Sequence, residues 1–156
     1  MSKPIATTND YLARIARVRE EMTRRGVDAV LLSVGHDLPY LTGYHAMPLE
    51  RLTMLVVGRE GVSTMIVPRL EVPRVAEQPG VFSIVAWNET DNPVALVAKH
   101  LGNARTIAVG DQMWARFLVE LLPLVPNARF VRAVDVVGDR EPLLPAGLAG
   151  HDGFDL

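Results

Sequence analysis

The sequence predicts an α/β domain with a mixed β-sheet of about five or six strands flanked by helices. Three observations carry this. Short apolar runs of strand length alternate with stretches of helical periodicity. Two of the runs, 52–57 and 62–67, are joined by only Gly58-Arg59-Glu60-Gly61, a hairpin-type connector, so the sheet is not wholly parallel. The chain of 156 residues is 49 % hydrophobic and 22 % charged, enough for one domain with its own core.

The elements follow in order. Over 8–25, Tyr11, Ile15, Val18 and Met22 recur at helical spacing, and Leu12 and Ala16 widen the stripe. Thr8 or Asn9 is the expected N-cap, and Gly26 stands where a left-handed C-cap belongs. The run 28–34 (DAVLLSV) suits a strand buried on both faces. Segment 35–43 (GHDLPYLTG) reads as a loop holding one helical turn. After the hairpin, Pro68 ends the second strand and 71–77 makes a short helix with Pro73 near its first turn. A strand over 81–87 precedes a helix over 93–101, capped by Asp91 or Asn92 and stopped by Gly102. A short strand over 106–109, a helix over 113–122 ended by Pro123 and Pro126, and a last strand over 129–131 complete the pattern. Residues 140–156, rich in Pro and Gly, read as an irregular tail or linker after a domain over 1–139.

Composition excludes several classes. With no cysteine there is no disulfide framework, zinc ribbon or thiol nucleophile. A net charge of -2, with scattered arginines and only Lys3 and Lys99 as lysines, argues against nucleic-acid binding. No apolar run approaches the roughly 18 residues of a membrane span, and no signal-peptide core follows Met1, so a cytoplasmic location is expected.

The common catalytic patterns are missing from the sequence. There is no GxGxxG after a strand, no P-loop, no GxSxG and no HExxH. His100 falls on a helix as a surface residue. Asp111, just after a strand, invites comparison with receiver-domain phospho-acceptors, but the required acidic pair and lysine are not in place; a helix N-cap is the expected role. One cluster stands apart: His36, Asp37, Tyr40, Tyr44, His45, Glu50 and Arg51 all follow the first buried strand. Function gathers on such loops. Tyr40 and Leu41 have the apolar surface to anchor it, and Tyr44, His45 and Arg51 have what a working tip would use. Arg51 suits a carboxylate through paired charge-assisted hydrogen bonds, and His45 suits a carbonyl or carboxylate. A plain solvated surface loop is the competing reading.

Gly26-Val27-Asp28-Ala29-Val30-Leu31-Leu32 followed by Tyr40-Leu41-Thr42-Gly43-Tyr44 resembles the N-terminal domain of the creatinase, prolidase (Xaa-Pro dipeptidase) and aminopeptidase P family. The hairpin around Leu55-Val56-Val57-Gly58, then Val67-Pro68-Arg69-Leu70-Glu71, Ile107-Ala108-Val109-Gly110-Asp111 and Val134-Asp135-Val136-Val137 keep the family order over about 9–139. The resemblance implies a non-catalytic domain that contributes to dimerisation and to substrate access. In the family the chemistry sits in a following catalytic domain with two divalent metals, often manganese or cobalt, acting on proline-containing di- or short peptides. Creatinase itself keeps the fold and hydrolyses creatine without metal. The resemblance therefore implies no catalytic or metal-binding residue and no cofactor in this chain. It implies Tyr44, His45 and Arg51 as substrate-proximal residues, a homodimer, and the chain's own catalytic domain as partner, with neither nucleic acid nor membrane. Arg140 is followed by Glu141-Pro142, which departs from the family's helix into that catalytic domain. The competing function class is a stand-alone interaction or small-ligand-binding module without peptidase activity; a flavodoxin- or receiver-like domain is the weaker third.

Overall fold

The computed structural model describes residues 6–138. Helix α1 (Thr8–Arg25) carries its apolar stripe as expected: Tyr11, Ile15, Val18 and Met22 are buried. Its cap is Thr7 rather than Thr8 or Asn9. The Thr7 side chain accepts from the Asp10 N–H, and the Asp10 carboxylate accepts from the Thr7 N–H, a reciprocal capping box. Gly26, at φ 69°, closes the helix.

The strands are β1 (Ala29–Leu32), β2 (Met54–Gly58), β3 (Ser63–Pro68), β4 (Phe82–Trp87), β5 (Thr106–Val109) and β6 (Arg129–Arg132). They form one six-stranded sheet in the order β4-β3-β2-β1-β5-β6. β2 is antiparallel to both β1 and β3, and the remaining pairs are parallel. The sheet is thus mixed, as the short hairpin connector requires.

Both faces are covered, which explains the continuously apolar strands. Val30 and Leu32 of β1, Leu55 and Val57 of β2, and Met65 and Val67 of β3 pack with α1 and with α2 (Asp37–Thr42). The alternate residues Ala29, Leu31, Met54, Val56 and Ile66 pack with α3 (Pro93–Leu101) and α4 (Ala115–Leu121). A one-residue slip of β1 would exchange the two sets. A last turn, α5 (Val134–Val137), adds Val136 and Val137 to the α1 side.

Several expectations need adjusting. Strand β1 is shorter than 28–34 because both ends are occupied otherwise. The Asp28 carboxylate accepts from the Arg105 and Thr106 N–H groups at 3.0 Å, and the Ser33 hydroxyl donates to the Thr53 carbonyl at 2.8 Å. The expected helix at 71–77 is a 3-10 segment, Arg69–Arg74, with Pro73 inside it. The helix expected over 113–122 starts at Ala115 and passes into a 3-10 turn, Leu122–Leu124. Asn92 is the cap of α3. The tail or linker assigned to 140–156 lies outside the described residues. Among those described, no helix is long and apolar enough to cross a membrane.

Candidate functional site

Strand β1 delivers the chain into the cluster found in the sequence. Where a loop with one turn is expected, α2 forms, and Leu38 and Leu41 are fully buried at its core-facing side. Pro39 is tolerated because the N–H it lacks falls in the first turn. The Thr42 hydroxyl donates to the Leu38 carbonyl at 2.6 Å and accepts from the Tyr44 N–H at 3.2 Å. Gly43 closes the helix at φ +78°, and a Cβ there would stand 2.6 Å from the Tyr11 hydroxyl. That residue must be glycine on both counts.

Tyr40 is an anchor, although the core is only part of what holds it. Its ring is half-buried, with the Arg14 guanidinium 4.4 Å from the centroid. Arg14 also donates to the Tyr40 carbonyl at 2.8 Å, and Arg17 to its hydroxyl at 3.3 Å.

The three residues expected at the tip part company. Tyr44 is only 6 % exposed and sits in the core with the anchor. Burial pushes its phenol up from the ordinary range, and the neighbouring Glu71 carboxylate adds to the effect while Arg74 opposes it. Glu71 Oε2 is itself buried, with the Arg74 guanidinium 3.5 Å away. His45 is exposed, as are Met47 and Leu49 after it. Arg51 is exposed and forms an ion pair with Glu89, in the loop after β4. The structure therefore leaves His45 and Arg51 at the surface and removes Tyr44 from it.

A cleft of about 300 Å³ opens beside this segment, at the carboxyl ends of the parallel strands β1 and β5. The chain leaves β1 toward β2 and leaves β5 toward β6, on opposite sides, which is where open α/β sheets form crevices. Ser33, His36, Asp37, Asp111 and Gln112 line it. Sequence reading passed over Gln112. Its Oε1 accepts from the His36 N–H at 3.0 Å and so ties the start of the segment to the loop after β5. A Cβ on Gly35 would fall 2.5 Å from that same oxygen. No local pattern in the sequence signals a contact between residues this far apart.

Asp111 is not a helix cap. α4 begins after Trp114 with no side-chain cap, and the Asp111 carboxylate instead accepts from Arg132 at the end of β6, Nε at 2.9 Å. This hydrogen bond holds its carboxyl below the usual carboxylate range. Among the described residues, no group of three or more His, Cys, Asp or Glu side chains converges as a metal site would need.

Known proteins place this architecture. A probable dipeptidase PepE of Mycobacterium bovis is 32 % identical over 118 residues, 73 % of this chain and 31 % of that protein. The crystal structure of dipeptidase PepE from Mycobacterium ulcerans superposes with a TM-score of 0.76 at 34 % identity, covering 86 % of this chain and 37 % of that one. The creatinase/prolidase N-terminal domain of an X-Pro dipeptidase from Streptococcus pyogenes shares the fold at 24 % identity and a TM-score of 0.67, covering 77 % of this chain and 98 % of that one. The chain spans 24 to 31 % of the length of the curated relatives it matches. The family model described as the creatinase/prolidase N-terminal domain matches residues 14–138, nearly the whole of the sheet and its helices, and the chain belongs to that family.

Proposed function

We propose that this chain acts as the N-terminal, non-catalytic domain of an Xaa-Pro dipeptidase-like metallohydrolase, contributing to dimerisation and to substrate access. The observation that carries the reading is one of extent: the family match over 14–138 takes in nearly the whole described sheet and its helices, while the chain covers only 31 % of the Mycobacterium bovis dipeptidase and 37 % of the Mycobacterium ulcerans one. In this reading the metal chemistry of such enzymes is assigned to a separate catalytic domain rather than to this one.

The exposed stretch after Tyr44 is the element that reaches substrate. His45 presents an imidazole that donates to a peptide carbonyl or carboxylate, and Arg51 presents a guanidinium suited to a carboxylate. Arg51 already engages one carboxylate, that of Glu89, and a substrate carboxylate would exchange with it.

The purified chain is expected to show no turnover of Xaa-Pro dipeptides with added manganese or cobalt. Turnover above a mock purification would overturn the non-catalytic reading.

A further inference from the structure

The sulfur chemistry of this chain is confined to methionine, since the sequence has no cysteine. Most of the described methionines are shut away. Met22, Met54 and Met65 are at most 1 % exposed, and Met113 is half-buried on the α3 and α4 side of the sheet. Met47 is 49 % exposed.

Met47 also has a neighbour suited to its oxidised form. Arg74 donates through Nη1 to Met47 Sδ at 3.0 Å, and the same nitrogen stands 3.5 Å from Glu71 Oε2. That carboxylate oxygen is buried and makes no hydrogen bond among the described residues. Arg74 is therefore shared between a weak, exposed acceptor and a buried carboxylate that depends on it for charge balance.

We propose that Met47 is a modification site, oxidised by hydrogen peroxide to the sulfoxide, and that the new oxygen draws Arg74 away from Glu71. In this step one peroxide oxygen bonds to Sδ, the O–O bond breaks, and the other oxygen takes up the proton and leaves as water. The sulfur gives up two electrons and the peroxide is reduced. Arg74 engages one lone pair of Sδ, and the second remains for the oxidant. The S–O bond of a sulfoxide is strongly polar, so its oxygen accepts a charge-assisted hydrogen bond from a guanidinium far better than a thioether does. A guanidinium nitrogen already 3.0 Å from the sulfur is within reach of that oxygen.

Arg74 belongs to the 3-10 segment Arg69–Arg74, and Met47 to the exposed stretch after Tyr44, so their contact ties the two together. Withdrawing Arg74 leaves Glu71 buried beside the Tyr44 phenol without its counter-charge. Met47 lies between His45 and Arg51 in the sequence, so its oxidation would regulate access to substrate. That consequence rests on the reading above, whereas the oxidation and the transfer of Arg74 do not.

The test uses the 156-residue chain and dilute hydrogen peroxide, read by peptide mass spectrometry and thermal circular dichroism. Met47 should oxidise at least tenfold faster than Met22, Met54 or Met65 in the folded chain, and urea should abolish the difference. Oxidation should lower the Tm of the parent by about 2–4 °C, and methionine sulfoxide reductase should restore it. The same dose should leave Tm unchanged in Met47→Leu, which offers no sulfur there, and in Arg74→Ala, where the pair with Glu71 is already gone. If Arg74→Ala fails to fold, Glu71→Gln, which removes the buried charge, gives the same comparison. Equal oxidation of Met47 and the buried methionines overturns the site. Selective oxidation with an unchanged Tm in the parent, or with the same fall in Arg74→Ala, overturns the transfer of Arg74. No substrate enters these measurements, so their failure leaves the substrate-access reading to its own test.

Discussion

Two neighbouring stretches of one connection, 37–44 and 45–51, behave in opposite ways. In the first, Leu38, Leu41, Thr42 and Tyr44 are all buried, and the backbone is tied down by the Thr42 hydroxyl and the αL turn at Gly43. In the second, His45, Met47, Leu49, Glu50 and Arg51 are exposed, and Arg51 is held by a surface ion pair. The sequence of the two stretches is similarly polar. What separates them is that Leu38, Leu41 and Tyr44 of the first stretch are buried in the core beside α1, whereas in 45–51 only Ala46 packs against that core and Met47 and Leu49 are exposed. A connection divided this way offers function a rigid base and a replaceable surface.

The division is broken most severely at Leu41. Leu41→Ala removes a fully buried side chain and leaves a cavity under α2. The expected cost is about 2–5 kcal/mol, which at about 3 °C per kcal/mol lowers Tm by about 6–15 °C. Calorimetry or thermal circular dichroism measures it. An unchanged Tm would mean that α2 is not an anchor.

Tyr44 sharpens the boundary between the stretches. Its phenol is raised above the ordinary tyrosine value of about 10. A group whose folded value is raised holds its proton longer in the folded state. The corresponding stability is present in full below about pH 10 and is lost as pH rises through the folded value. Tyr44→Phe keeps the ring and removes the ionisation. Near pH 7 the variant should unfold within about 1 kcal/mol of the parent, and above pH 10 its stability should fall less steeply. Urea titrations at pH 8 and pH 11 give the comparison. Parallel losses in the two proteins would place the Tyr44 hydroxyl in solvent.

Much of this was legible in the sequence, and the misses share a cause. The stripe of α1, the Asn92 cap, the hairpin and the strand runs are all written within a few residues of themselves, and local periodicity found them. The mixed six-stranded sheet follows from the same pattern. Asp111 looks like a cap in the sequence because its partner, Arg132, lies 21 residues away on the next strand. Gln112 carries no local signal because its contact with the His36 N–H spans 76 residues. Tyr44 looks like a tip residue by composition, and only the packing of Val72 and Val75 with it in one core cluster shows that it faces inward. The helical turn expected within 35–43 is the six-residue α2, longer than the break signals of Gly35, Asp37 and Pro39 suggest, because Asp37 and Pro39 are each compatible with a helix start. The cluster of polar and aromatic residues after β1 is visible in the sequence, while the separation of its buried anchor from its exposed stretch requires the tertiary contacts.

The smallest structural effect belongs to the exposed stretch, and it is also the test of that stretch's function. His45→Ala should change stability by no more than about 0.5 kcal/mol, as for a surface side chain without buried partners. Arg51→Ala removes only an exposed pair with Glu89, worth less than about 1 kcal/mol. If these residues reach substrate, the same substitutions in the intact enzyme carrying this domain should lower kcat/KM roughly tenfold each, the consequence of losing about 1.4 kcal/mol of transition-state binding. A loss in kcat/KM without a loss in Tm is the signature that distinguishes contact with substrate from damage to the fold. Leu41→Ala supplies the opposite signature, in which Tm falls first. Parental kcat/KM on short proline peptides in both His45→Ala and Arg51→Ala would reduce the stretch to solvated charges over a structural anchor.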